Sequence, residues 1–384
     1  MEEKEDPWGY ISDAELLDIN LMPDHCVPHP ISTQEDETHL GSSPDRCKKP
    51  YTNPPRDFSC LNRSPEKEDG IISPQYRSRR WHLSVTLLCE QTWCEMKMVF
   101  GLLRPLIKQN EMKNPAVMAG ISIHQKRQRE IHDIVPIQTQ TREDQEAIKL
   151  LNVMNMLSLL EEGQCVREFP VFGVLEGMFF MGVIDELSLS TEGELVLTEL
   201  KTRKENSLPG KAQAKGHDLQ VGVYKLLFDG MISGTVKRND IIRHLKLQPK
   251  RVLGTAVLHH AGAMGIEEGT LGGLVDLVLK TLTSSKVGPI QHLKLEYVHQ
   301  ESGALIDSRP VQYEGEVLRG ELREYLGFWR GQRDARGVDV EEAWKCKMCP
   351  FQQNCQWGKD ISGAATAACG SGGGDSGQAE NEVK

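Results

Sequence analysis

Two carboxylates and a lysine stand near one another in the middle of this 384-residue sequence: Asp185, then Glu199-Leu200-Lys201, with 13 residues between Asp185 and Glu199. On a strand, residues two apart share a face, so Glu199 and Lys201 would project together while Leu200 turns into the core. If Asp185 lies on a neighbouring strand of a hairpin, it can approach that face. Two carboxylates and an ammonium at one strand edge suit phosphodiester hydrolysis: hard oxygen ligands take Mg²⁺, which polarises the phosphate and acidifies an attacking water. Lys201 would orient or deprotonate that water and offset negative charge in the transition state. Taken alone, the pattern also fits a surface salt bridge on a hairpin.

About twenty residues further on, Gln220 and Tyr224 are four apart and would share one face of a helix. Upstream, His124 follows Gly120 by four positions, in a basic stretch that continues through Arg127, Gln128, Glu130 and His132. A second constellation lies near the C-terminus, where Cys346, Cys349 and Cys355 are spaced Cys-x2-Cys-x5-Cys. Three thiols leave a tetrahedral or cubane site one short, and no second Cys-x2-Cys knuckle supplies a zinc ribbon. The fourth ligand must come from a distant cysteine. Cys94 is the first candidate and Cys89 the second, and four thiolates fit an iron–sulfur cubane, with zinc the alternative. Between Cys94 and Cys346 lie 251 residues, so a shared site would be structural, tying both flanks of the body together. Cys26, Cys47, Cys60 and Cys369 fall in the ends of the chain, and Cys165 reads as core or turn.

These residues need elements to position them. REFPVFG, GMFFMGVIDELSL and ELVLTELKTR are rich in Val, Phe, Leu and Thr and separated by short turns, which predicts three consecutive strands carrying Asp185, Glu199 and Lys201. A helix is predicted over about 212–229, with Gly230 as its C-cap. Before the strands, helices are predicted over about 84–103, after Gly120, and from Thr141, where Asp144 completes a capping-box-like start. RVLGTAVLHH and HLKLEYVHQ read as further strands, with helices near 270–282 and 316–334. The order α-β-β-β-α-β predicts an α/β fold, a mixed sheet flanked by helices.

The residues from 1 to 78 are rich in Pro, Asp, Glu and Ser without sustained periodicity, and 359–384 are Gly-rich, so both are expected to be disordered; the body is expected over 79–358. No run of eighteen apolar residues and no secretory start is present, which points to an intracellular protein that touches no membrane. A net charge of −10 excludes a uniformly basic coat but not a local basic groove. No Gly-x4-Gly-Lys-Ser/Thr phosphate loop occurs.

Asp185, Glu199, Lys201, Gln220 and Tyr224, in this order and on these elements, resemble the RecB-type branch of the PD-(D/E)XK nucleases, and Gly120-x3-His124 resembles the Gly-x3-His that opens that branch. One distant cysteine with a compact C-terminal trio resembles its iron–sulfur members. With both constellations present, the body resembles the exonuclease V family. The resemblance implies a restriction-endonuclease-like fold and a channelled, metal-dependent enzyme that admits single-stranded DNA at an end, with a 5′ preference, and releases short oligonucleotides. It implies Asp185 and Glu199 as ligands of Mg²⁺, with Mn²⁺ as a substitute, and Lys201, Gln220, Tyr224 and His124 as active-site residues. Cys94, Cys346, Cys349 and Cys355 would hold a [4Fe-4S] cluster. Genome maintenance in the nucleus is implied, with cytosol or mitochondrion as alternatives, by a monomer that a single-strand-binding protein could direct. The chain departs from the pattern where relatives carry a Glu four residues after the His; here Gln128 stands there and Glu130 is two further on. Arg127, Arg203 and Lys204 are candidate channel cations. Competing readings are a non-catalytic iron–sulfur nucleic-acid-binding module and an RNA or structure-specific endonuclease of the same clan.

Overall fold

The computed structural model describes residues 82–132 and 136–360. The expected arm over 1–78 and nearly all of the expected tail lie outside the described residues. Elements run β1 (His82–Ser84), α1 (Val85–Trp93), α2 (Glu95–Leu103), α3 (Pro105–Met112), α4 (Pro115–Ile131), α5 (Arg142–Glu161), β2 (Val166–Leu175), β3 (Met178–Leu189), β4 (Leu195–Arg203), α6 (Lys211–Ile232), α7 (Arg238–His244), α8 (Thr255–Ala263), α9 (Leu271–Ser284), β5 (Ile290–His299), β6 (Leu305–Val311), α10 (Gly315–Trp329) and the short α11 (Trp344–Lys347). Among the described residues no helix is long and apolar enough to cross a membrane.

The six strands form one mixed sheet in the order β1-β3-β4-β5-β6, with β2 paired to β3 as well. This is the mixed sheet flanked by helices that was expected, compatible with a restriction-endonuclease-like fold. β3 is its hub. It pairs antiparallel with β2 along nearly its whole length, parallel with β1 over Phe179–Met181, and antiparallel with β4 only over Glu186–Leu189. β4 then leaves β3 and pairs parallel with β5 as far as Arg203 and His299. The ladder between β3 and β4 thus ends one step before Asp185 and Glu199 would meet.

The longest helix, α6, lies against β2, β5 and α1, and it buries Leu219, Val223, Tyr224, Leu227 and Phe228. Phe228 meets Phe169 of β2 edge to face, centroids 5.4 Å apart. Burying such aromatic and aliphatic area supplies the main stabilisation of the body.

Several expected elements differ. The helix expected over 84–103 is broken at Cys94, whose extended backbone (φ −171, ψ 115) ends α1 and caps α2. The sequence around RVLGTAVLHH, expected as a strand, is mostly α8: Gly254 donates its N–H to Asp144 at 2.8 Å and starts a helix that buries Val257 and Ala261, four apart, on one face. Helical spacing of its buried residues overrides the β-rich composition. Helix α6 runs past Gly230, and Gly234 (φ 72) follows its end instead. Helix α10 ends at Trp329, short of the expected 334, and β6 was not anticipated. The capping box at Thr141 and Asp144 forms as expected.

Candidate active site and thiol pocket

Where β3 and β4 part, Asp185 reaches into the fork and its Oδ2 accepts the Leu200 N–H at 2.7 Å. Leu200 is therefore buried against the site, not in the main core: it lines a pocket with His124, Glu168, Asp185, Thr198 and the two arginines Arg127 and Arg167. Glu199 and Lys201 project together on the side of α6, as strand alternation requires. Lys201 Nζ donates to Glu199 Oε1 at 2.8 Å and to Gln220 Oε1 at 2.7 Å; Gln220 Nε2 donates in turn to Tyr224 Oη at 3.1 Å. Tyr224 comes this close because Gly182 lies beneath it: a Cβ there would stand 2.5 Å from its ring.

From the other side, α4 delivers His124. Its fit depends on Gly120, one turn earlier, where a Cβ would stand 2.8 Å from Thr202 Oγ1 of β4. The glycine lets the helix close on the sheet, and His124 Nδ1 comes within 3.4 Å of Asp185 Oδ1. Thus Asp185, Glu199, Lys201, Gln220, Tyr224 and His124 are brought to one place.

The third donor beside His124 and Asp185 is one that sequence reasoning missed. Ligand atoms of His124, Glu168 and Asp185 all lie within 4.8 Å of one another. Glu168 sits on β2 with φ at 60, a left-handed backbone that a non-glycine residue adopts at a cost of order 1–3 kcal/mol and that is common at functional sites. An acidic residue at the start of a strand that is apolar from Phe169 onward was its only sequence signal. Glu130 takes a different part: it holds Arg167 at 3.0 Å, and Arg167 also reaches Glu186 at 2.8 Å. His132 Nε2 accepts the Arg167 backbone N–H at 3.0 Å, and burial keeps its pKa below the ordinary value. Of the expected channel cations, Arg127 is ion-paired with Glu186 and Glu296, Arg203 is buried on Gln213 and two backbone carbonyls, and Lys204 is exposed.

The electrostatics are those of a site short of positive charge. Burial opposes ionisation of Asp185, but His124, Lys201 and the Leu200 N–H more than offset it and hold its pKa below the ordinary value. Burial first, and the Asp185 charge second, push Glu199 up to about 7. Burial also works against the Lys201 charge, yet Glu199 and Asp185 keep the ammonium protonated beyond its usual range. Glu199 Oε2 is buried without a hydrogen-bond partner. An orphaned carboxylate oxygen beside a His/Glu/Asp donor set is what a divalent cation would satisfy.

The second constellation also assembles. Cys94, Cys346, Cys349 and Cys355 line one pocket with Trp93, Lys97 and Lys345. Burial, and then the three other thiols, push Cys94 up to about 11. Cys89 is elsewhere: it is buried in the core, where burial raises its pKa and its charged neighbours are Lys201 and Glu199. The walls are stapled across the chain. Phe100 stacks on Phe351 with centroids 5.6 Å apart, Trp93 meets Trp344 at 5.5 Å, and Lys345 donates to the Trp93 carbonyl at 3.2 Å while lying over its ring. Beside the pocket, Arg333 grips Glu95 with both terminal nitrogens at 2.6 Å.

Against known proteins, the family model described as "Exonuclease V - a 5' deoxyribonuclease" matches residues 73–195, 189–272 and 266–358. A curated Exonuclease V from Danio rerio is 46% identical over 370 residues, covering 92% of this chain and 93% of that protein. The crystal structure of SSO0001 superposes with a TM-score of 0.34 at 11% identity, over 72% of this chain and 85% of that one. With the family match running the length of the body and the relative 46% identical over most of the chain, the chain belongs to the exonuclease V family of DNA-hydrolysing exonucleases.

Proposed function

We propose that this chain degrades single-stranded DNA from an end, with the 5′ preference that the family description carries, into short oligonucleotides. The observation that carries the reading is the fork itself: Asp185, with His124 and Glu168, faces the Glu199–Lys201 pair across parting strands. Bound by Asp185, His124 and Glu168, with Glu199 as the remaining carboxylate, Mg²⁺ or Mn²⁺ supplies Lewis acidity for phosphodiester hydrolysis. Lys201, fixed between Glu199 and Gln220, holds a positive charge where a pentavalent phosphate gains negative charge. Tyr224 and Gln220 set the position of that ammonium, and the buried surroundings strengthen its effect.

The four thiols that line one pocket would hold a [4Fe-4S] cluster, for which four thiolates are the usual ligand set, with zinc as the alternative. A cluster there joins the α1–α2 break to the C-terminal segment and so acts structurally. A role in genome maintenance, residence in the nucleus, action as a monomer and recruitment by a single-strand-binding protein complete the reading; its support is family kinship.

The test is Mg²⁺-dependent degradation of linear against circular single-stranded DNA by anaerobically purified protein, with Lys201→Ala as control. Degradation of the linear strand alone, by wild type alone, is expected. Cutting of the circle, or of RNA in preference to DNA, overturns the exonuclease assignment in favour of an endonuclease or ribonuclease.

A further inference from the structure

A cleft with no part in the chemistry above opens beside the metal-donor set. Its floor is the β2–β3 ladder, where Pro170 pairs with Val183 and Phe172 with Met181; its far wall is Ile241 and Leu245 of α7. Pro170 and Val183 stand two residues along their strands from Glu168 and Asp185, which at about 3.4 Å per residue is roughly 7 Å. The floor of the cleft therefore lies beside the site where a phosphate would be cut.

The walls are apolar, and the charged groups on them are the ion pair of Glu146 with Lys149, 3.0 Å apart, on α5. α7 is anchored to the sheet by His244, stacked on Phe179 at 5.2 Å, so the wall is not a mobile flap. Just outside that wall the chain turns basic. The segment from Lys237 to Arg251 carries Lys237, Arg238, Arg243, Lys246, Lys250 and Arg251 against the single acid Asp240, in a protein of net charge −10. Arg238 and Arg251 are ion-paired with Asp276 and Glu143, and Arg243 and Lys246 are exposed on the same segment.

Apolar walls beside a phosphodiester site, next to a basic segment of the chain, match one occupant: a nucleobase with its two apolar faces, on a strand whose phosphates meet that segment. We propose that this cleft seats the unpaired base next to the phosphate that is cut. The inference rests on the reading of the Asp185 site as the place of hydrolysis. A base in a duplex is stacked and paired and cannot enter, so the cleft selects single strands by a contact to the base. With apolar walls it would accept each of the four bases, giving little sequence preference.

The test uses short single-stranded oligonucleotides carrying one abasic residue at successive positions. Binding is read by fluorescence anisotropy in the Asp185→Asn variant, separately from cutting by wild type. A base seat worth about 1–3 kcal/mol predicts that an abasic residue at one position weakens binding about 5- to 150-fold, while neighbouring positions change little. Met181→Phe, which keeps an apolar wall but fills the cleft, should weaken binding of the intact strand and leave the abasic one nearly unchanged; Met181→Ala, which widens it, should reduce the discrimination. Uniform affinity across all abasic positions overturns the base seat, whether or not the strands are cut. Position-dependent affinity without cutting by wild type supports the seat and instead overturns the hydrolytic reading of Asp185.

Discussion

Asp185 draws together three parts of the site: His124 from α4, the Leu200 N–H from β4, and the charge of Lys201. Replacing it with Asn should lower cleavage at least about 10³-fold, measured as single-turnover rate, with little change in the circular dichroism spectrum. Glu168 sits at the edge of the same donor set, so Glu168→Gln should cost about 10- to 100-fold and shift the Mg²⁺ requirement upward. A rate-against-Mg²⁺ curve identical to wild type would remove Glu168 from the metal. Glu199 gives a pH signature. Its folded pKa, about 7, lies above the ordinary 4.5, so in metal-free protein its contribution to stability is complete below 4.5 and is lost as pH rises through about 7. Chemical denaturation in a chelator should show stability falling over that window, by an amount of order a few kcal/mol, and Glu199→Gln should flatten the slope. Mg²⁺ should flatten it as well, because the cation favours the ionised carboxylate.

Among elements, α4 owes its position to one glycine. Gly120→Ala would press a methyl against Thr202 Oγ1 and lift the helix from β4, moving His124 from Asp185. A displacement near 1 Å at a metal site is enough to cost about 10²-fold in rate, and the fold should survive, since the helix is otherwise capped and half-exposed. Measured kcat for the variant, together with its melting temperature, separates misplacement from unfolding. The break at Cys94 is the other element-level device. Extended backbone there ends α1, starts α2, and leaves the thiol facing the C-terminal trio, and the Glu95–Arg333 pair holds the break against the segment after α10. Glu95→Ala leaves Arg333 to Glu324 and removes the acceptor of the Arg336 N–H, and should destabilise by about 1–3 kcal/mol in chemical denaturation.

At the scale of the whole molecule, the thiol pocket joins positions 94 and 346–355 and so closes the chain around the sheet that holds the fork. Cys94→Ser should lose the visible absorption of a cluster, while Cys89→Ser keeps it, because Cys89 lies in the core beside Lys201 and not in the pocket. The reverse pattern in the absorption spectra would exchange the two ligands.

Much of this was legible in the sequence because it is local. Runs rich in Val, Phe, Leu and Thr between short turns marked the three strands, and Glu199-x-Lys201 and Gln220-x3-Tyr224 share faces by the repeat of a strand and a helix. The capping box at Thr141 and the Cys-x2-Cys-x5-Cys spacing are likewise short-range patterns. What depended on contacts between distant segments was not legible. Glu168 becomes a donor only because β2 pairs with the Asp185 strand and its backbone turns left-handed there. Glu130, nearer His124 in sequence, is drawn to Arg167 instead. The stretch 255–263 was expected within a strand, yet it is a helix, with Val257 and Ala261 buried on one face and the Gly254 N–H held by Asp144, more than a hundred residues away. The choice of Cys94 over Cys89, the fork between β3 and β4, and the cleft under α7 were all decided by tertiary structure. Sequence periodicity determines which side chains share a face; which faces meet depends on how distant segments pack.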